Sequence, residues 1–281
     1  MHPSKTWLIT GASRGLGRAL AVAVAEAGDV VVATVRGDHE LPDHERIHVQ
    51  RLDVRDHDGA VLAVRRATAE TGRLDVLINN AGYGLVGATE EVTETEARAI
   101  IDTDLLGPLW LTQAALPVMR AQGSGHIVQV STVGAVGTLP FFGLYNAAKW
   151  GLEGFSGALA AEVRPHGIRV TIAELGSIDT SWSTGSLRFA EPNPAYHELR
   201  RELFGTVETP WATGGTGGGM APEDAARVLH RHISEPVDDR LRLLIGDDAP
   251  EHVAIALGDR IADYAKDERF PAERLLGVRT S

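Results

Sequence analysis

Short β-branched runs recur along the first two-thirds of this chain, each separated from the next by a segment long enough for a helix. Trp7 to Thr10, Val30 to Val35, Ile47 to Leu52, Leu74 to Ile78, Ile127 to Ser131 and Arg169 to Ala173 read as strands. Helical periodicity fills the gaps: Leu16 to Ala27, residues 57–71, Glu94 to Met119, and Leu144 to Val163. The Glu94 to Met119 stretch is expected to bend near Gly107-Pro108, where proline removes a backbone donor. Strands joined by helical crossovers of this length pair in parallel, and a parallel sheet has to be covered on both faces. The chain is thereby confined to a doubly wound α/β fold. A helix opening at Pro222, a strand from Leu241 to Ile245 and a last amphipathic helix bring the expected sheet to about seven strands.

After Gly176 the alternation lapses. Residues 181–221 carry Trp182, Phe189, Tyr196, Phe204 and Trp211 among prolines, then a glycine run from Gly214 to Gly219. Aromatics in an irregular segment beside a glycine hinge are expected to form a lid over an apolar pocket. The alternative is an excursion whose aromatics pack on the body. No repeat or linker divides the 281 residues, so a single domain is expected, and 43% hydrophobic residues suffice for its core. The net charge of −11 disfavours nucleic acid and anionic lipid as partners. Without cysteine there is neither disulfide nor thiol catalysis. Residues 1–5 leave no room for a secretory leader before the first strand, and no apolar run approaches the roughly 20 residues of a membrane span. A cytoplasmic protein is expected. His230 and His232 lie two apart on a helix and face different ways, so no metal is assigned.

Chemistry enters at Thr10-Gly11-Ala12-Ser13-Arg14-Gly15-Leu16-Gly17, between the first strand and its helix. Glycines there let the backbone turn tightly and approach a pyrophosphate, whose charge rests on the helix N-terminus. Asp53-Val54 ends the third strand, Asn79-Asn80-Ala81-Gly82 follows the fourth, and Tyr145-Asn146-Ala147-Ala148-Lys149 opens the helix after the fifth. In this order, over residues 5–180, the chain resembles the short-chain dehydrogenase/reductase family on a Rossmann fold. The spacing of Gly137, Leu139 and Pro140 before Tyr145 resembles its steroid-dehydrogenase-like branch. The resemblance implies adenine contacts from Asp53 and Val54, further cofactor contacts from Asn80, Ala81 and Gly82, and a catalytic Tyr145 with Lys149 holding the nicotinamide ribose. It further implies nicotinamide contacts from Gly176, Ile178 and Thr180. Leu175 stands where the family has proline, so that loop is expected to be looser. Self-association into a homo-oligomer is implied too, through the helices at 95–119 and 144–163.

The Tyr-Lys pair has physics of its own. Residues four apart share a helix face. A phenol must fall by about 3 pH units to work near neutrality, roughly 4 kcal/mol. One ammonium at about 4 Å supplies roughly that at an effective dielectric of about 20. Lys149 is thus expected to lower Tyr145, which would give a proton in reduction and take one in oxidation. Ser131 and Thr132 end the fifth strand, and alternation lets only one face the carbonyl. Thr132 is preferred, because the family's serine lies 13 residues before its tyrosine. Asp104-Leu105-Leu106-Gly107 matches a family Asn-x-x-Gly. Asp104 is read as keeping the structural part of that asparagine, the alternative being that it pairs with Lys149 and blunts its effect on Tyr145.

Strand two ends Thr34-Val35-Arg36 with no acid at the junction, where an acid would repel a 2′-phosphate. Arg14 and Arg36 therefore favour NADP(H), with NAD(H) possible. Leu139, Phe142 and Trp182 would line a substrate cleft with few charges. The expected function is interconversion of a carbonyl and an alcohol on an apolar substrate. Two rivals stand beside it: an epimerase, dehydratase or cyclase on the same scaffold, and a non-catalytic dinucleotide sensor.

Overall fold

In the computed structural model, residues 4–179, 185–207, 218–235 and 239–271 are described. Strand β1 (Thr6–Ile9) leads into α1 (Gly15–Glu26), β2 (Val30–Val35), β3 (Ile47–Arg51), α2 (His57–Thr71) and β4 (Val76–Asn79). A short β5 (Gly84–Val86) precedes α3 (Glu94–Ile101), a π-turn (Asp102–Leu106), α4 (Gly107–Gln122) and β6 (Gly125–Thr132). Then come α5 (Gly143–Val163), β7 (Ile168–Leu175), β8 (Leu187–Phe189), α6 (His197–Phe204), α7 (Pro222–Ser234), β9 (Arg242–Ile245) and α8 (Ala249–Tyr264).

Seven strands form one sheet in the order β3-β2-β1-β4-β6-β7-β9. Every pairing in it is parallel, from Thr6 on Val30 to Leu175 on Ile245. The doubly wound sheet expected from the alternation is therefore present. One face is covered by α1 and α7, where Leu20, Val24, Ala226 and Leu229 pack on Trp7, Ile9 and Val31. The other is covered by α2, α4 and α5, whose Val64, Leu111 and Leu159 pack on Leu8, Val32 and Leu77. The strand order reverses between β1 and β4, and the crevice that reversal leaves at the strands' carboxyl ends receives ligands in folds of this class.

Two features differ from expectation. The bend in the 94–119 helix is the π-turn, one residue ahead of Gly107, with Pro108 seated harmlessly in the first turn of α4. Gly107 is required there, since a Cβ would lie 2.8 Å from Val54 Cγ2. The segment expected to be irregular holds β8 and α6 within its described part, 185–207, and β8 pairs in parallel with β5 as a two-stranded ribbon. A three-residue strand carries too little periodicity to be read from sequence. Thr180, Trp182, Trp211 and most of the glycine run lie outside the described residues. His230 stacks on Trp7 at 5.6 Å, whereas His232 reaches the Thr171 hydroxyl at 3.2 Å. Among the described residues, no helix is long and apolar enough to cross a membrane.

Candidate active site

One cleft of about 910 Å³ opens at the crevice, and every sequence-predicted site residue that is described lines it. The dinucleotide side is built by backbone. Gly11 and Gly15 hold left-handed φ of 66° and 56°, conformations that cost a side chain energy. A Cβ on Gly17 would lie 2.5 Å from Asn80 Nδ2 and 2.6 Å from the Gly11 carbonyl. Asn80 Nδ2 donates to the carbonyls of Thr10 (2.9 Å) and Gly11 (3.1 Å), and the Thr10 hydroxyl accepts from the N–H groups of Asn80 and Ala81, both at 3.0 Å. The neighbouring Asn79 points the other way, donating to Gln129 Oε1 at 3.0 Å behind the sheet. No side chain caps the N-terminus of α1, and no acid sits in its first turn. Its open N–H groups beside Ser13, Gly15 and Leu16 are a site for an anion.

Around that loop the charges are arranged less simply. Arg14 donates to Gly185 O at 2.5 Å and Ser186 Oγ at 3.1 Å, so its guanidinium bridges the glycine loop to the segment before β8. Arg36, Gly37 and Asp38 line the rim together. Asp53 is gripped by Arg55, with Nη2 at 2.5 Å, and that hydrogen bond holds its carboxyl below the usual range. Val54 is buried against Gly107.

The reaction side is built by side chains from β6, α5 and the π-turn. Thr132 faces the cleft and hydrogen-bonds Tyr145. The Ser131 hydroxyl instead donates to Glu153 Oε1 at 2.7 Å, buried behind the strand. Lys149 Nζ donates to Val130 O at 3.0 Å and lies 3.3 Å from Asp104 Oδ2. Asp104 is fully buried, and its Oδ1 accepts from Tyr83 N at 3.1 Å. Burial pushes the Asp104 carboxyl up, with Lys149 and the Tyr83 N–H opposing. The expected lowering of Tyr145 is not what the geometry gives. Burial drives the phenol above its usual range, the Asp104 carboxylate adds to the rise, and only the Thr132 hydrogen bond opposes it. Lys149 cannot serve Tyr145 alone when a carboxylate stands beside it.

The loop after β7 also departs from expectation. Leu175 does not leave it loose, because Asp248 at the start of α8 clamps it: Ser177 donates through N (2.9 Å) and Oγ (2.6 Å) to that carboxylate. Gly176 N donates to Ile245 O at 2.8 Å, and a Cβ on Gly176 would lie 2.2 Å from Asp248 Oδ1. The sequence signal for this is Gly246-Asp247-Asp248 after β9, too short to single out. Ile178 is buried and lines the cleft.

Substrate-side walls are apolar: Leu85, Leu139, Phe142, Leu175 and Phe189. Phe142 is set by Phe141, which holds a left-handed φ of 67°. That conformation costs of order 1–3 kcal/mol and needs surroundings that enforce it. Arg200 supplies them, its guanidinium 4.6 Å from the Phe141 ring, beside Phe204 at 5.5 Å. Arg200 is itself buried and paired with Glu91, which also accepts from the N–H groups of Ala88 (2.6 Å) and Asn193 (2.7 Å). Burial would raise the Glu91 carboxyl, yet those backbone donors and Arg200 hold it low.

Residues 5–188 match the short chain dehydrogenase family. Oxidoreductase BOA17 of Botryotinia fuckeliana is 36% identical over 259 residues, covering 90% of this chain and 93% of that protein. A short-chain dehydrogenase from Streptomyces avermitilis, 37% identical, superposes with a TM-score of 0.84 over 95% of this chain and 98% of its own. A metagenomic short-chain oxidoreductase solved in complex with NADP is 26% identical, with a TM-score of 0.66 over 86% of this chain and 96% of its own. The family match runs from the first strand into β8, the Botryotinia and Streptomyces proteins are matched over nine-tenths or more of the chain, and on that ground the chain belongs to the short-chain dehydrogenase family of oxidoreductases.

Proposed function

We propose that this protein is an NADP(H)-dependent reductase of ketones or aldehydes with large apolar bodies, of the steroid-dehydrogenase-like kind. The observation that carries the reading is the meeting of the Tyr145 and Thr132 hydroxyls in a cleft with an apolar wall on one side and an uncapped helix N-terminus on the other. Dinucleotide chemistry fits the chain's own groups. The N–H groups of α1 take the pyrophosphate, Asp53 and Val54 border the adenine, and Lys149 holds the nicotinamide ribose. Arg36, with Arg14 when it leaves Gly185, suits a 2′-phosphate, and the NADP complex of the metagenomic relative supports that choice. A reduced nicotinamide, when bound, supplies the hydride that the carbonyl carbon accepts.

The protein's part is proton transfer and orientation. Tyr145 donates its phenolic proton to the carbonyl oxygen, and Thr132 donates a hydrogen bond to the same oxygen. Leu139, Phe142 and Phe189 offer the substrate's body an apolar wall. Residues 185–207 act as a cap over the cleft, and subunits associate through α4 and α5. The Lys149–Asp104 pair favours a second reading, proton transfer without net redox change, as in an epimerase or dehydratase.

NADPH absorbance with a panel of apolar ketones and aldehydes decides. Turnover that falls by about 10²–10⁴-fold in Tyr145→Phe is expected, the usual range for losing a general acid. Tight NADPH binding with no turnover of any carbonyl would favour the second reading. Equal rates with NADH would remove the role given to Arg36.

A further inference from the structure

We propose that Asp104 is a positioning residue that occupies the charge of Lys149 and keeps Tyr145 protonated, biasing the site toward giving a proton to a carbonyl. Taking a proton from an alcohol is then held back until alkaline pH. The inference rests on the reductase reading and adds a direction to it.

The geometry is closed around one cation. The π-turn sets Asp104 under Gly82, where a Cβ would lie 2.8 Å from Asp104 Oδ2 and 3.4 Å from Lys149 Nζ. Neither charged group has much access to water: Asp104 is 0% exposed and Lys149 is 6% exposed. Oδ2 faces the ammonium at 3.3 Å, and Oδ1 is taken by the Tyr83 N–H at 3.1 Å. On the other side the ammonium donates to Val130 O and lies 6.0 Å from the centre of the Tyr145 ring.

Ionising Tyr145 would therefore place two anions about one ammonium in a site poor in water. A neutral amide at position 104 would leave that ammonium unshared, and the phenolate would gain a counter-ion. Like charges in one site raise the pKa of the group that ionises second. The other groups facing this trio are the Thr132 hydroxyl, from β6, and the Tyr83 phenol, which feels the Asp104 charge. Tyr83 is in turn influenced by Arg55, Arg188 and Glu96. Among these, Lys149 is the cation in ion-pair contact with Asp104. In reduction the carbonyl carbon gains a hydride and its oxygen the Tyr145 proton, and solvent reprotonates the phenolate. In oxidation the alcohol proton must pass to a Tyr145 already ionised, which is the step Asp104 opposes.

Initial rates of ketone reduction with NADPH and alcohol oxidation with NADP⁺, measured across pH for the native protein and Asp104→Asn, test this. Native reduction should hold through neutral pH while native oxidation rises only in the alkaline range. Asp104→Asn should lower the midpoint of the oxidation limb by about one pH unit or more, raising oxidation near neutrality by about tenfold per unit. A merely structural aspartate would change rates without moving that midpoint. An unmoved midpoint in an active Asp104→Asn overturns the proposal, as does loss of both directions in the folded variant. Native oxidation that is already level from neutral to alkaline pH overturns it with no variant needed. Turnover surviving in Tyr145→Phe would instead sink the reductase reading itself.

Discussion

The two halves of the cleft are held by different physics. Around the glycine loop the chain fits itself by close backbone approach and neutral hydrogen bonds, as where Asn80 ties Thr10 and Gly11 to β4. Around the reacting groups it is held by buried charge pairs from far apart in sequence, Lys149 with Asp104 and Arg200 with Glu91, and outside the cleft lining the buried Glu174 meets the half-exposed Arg242. The first half should tolerate a change of charge and fail on a change of volume. The second should tolerate small changes of volume and fail on a change of charge.

Gly17→Ala is the harshest test of the first statement. The new Cβ meets the Gly11 carbonyl and the Asn80 amide, neither of which can retreat without unpicking the loop. A loss of roughly 4–5 kcal/mol is expected, in the range of exceptional single substitutions, seen as a collapse of both thermal midpoint and NADPH affinity. A variant that binds NADPH normally would show that the backbone approach is not what shapes this side.

Glu91→Gln tests the second. It changes almost no volume but leaves Arg200 buried with its charge uncompensated beneath Phe141. Breaking a buried pair in this way costs about 3 kcal/mol or more. The thermal midpoint should fall and the KM for ketone rise, while NADPH affinity, which belongs to the other half, holds. If NADPH affinity and ketone KM move together, the two halves are one cooperative unit and the contrast fails.

The same division decides what could be read from sequence. Backbone-built features leave short, ordered signatures, so the strand alternation, Gly11-Gly15-Gly17, Asn80 and the Tyr145-Lys149 spacing located the sheet, the crevice and the pair. Strand alternation let only one of Ser131 and Thr132 face the cleft, and the spacing to Tyr145 singled out Thr132. Charge-built features have no local signature. Nothing near Glu91 in the chain announces Arg200, 109 positions away, or ties Ser177 to Asp248, 71 positions away. Asp104 was visible as a departure, with pairing to Lys149 as its alternative, but the contact of Oδ2 with that ammonium and the rise of Tyr145 depend on a side-chain geometry that spacing does not carry.

The smallest effect is expected at Glu174, and it isolates charge from everything else. Its side chain is 1% exposed between Glu153 and the half-exposed Arg242, whose Nε lies 2.9 Å from Glu174 Oε1 and 3.5 Å from Glu153 Oε2. Burial and the neighbouring Glu153 carboxylate raise Glu174 from 4.5 to about 7, against the pull of Arg242. The folded protein thus keeps a proton that the unfolded chain has already released between about 4.5 and 7. A state that binds more protons is favoured by acid, so stability falls as pH rises through that window and levels off above it. Glu174→Gln fixes the neutral form: it can still donate to Glu153 and accept from Arg242, but it cannot titrate. The variant's thermal midpoint relative to native should therefore climb between pH 5 and pH 8 by about 2–4 °C, the shift that roughly 1 kcal/mol gives in a protein somewhat smaller than this one. A difference that stays flat over that range would mean Glu174 is already ionised at pH 5 in the folded state, with Arg242 and not a shared proton holding the two carboxylates together.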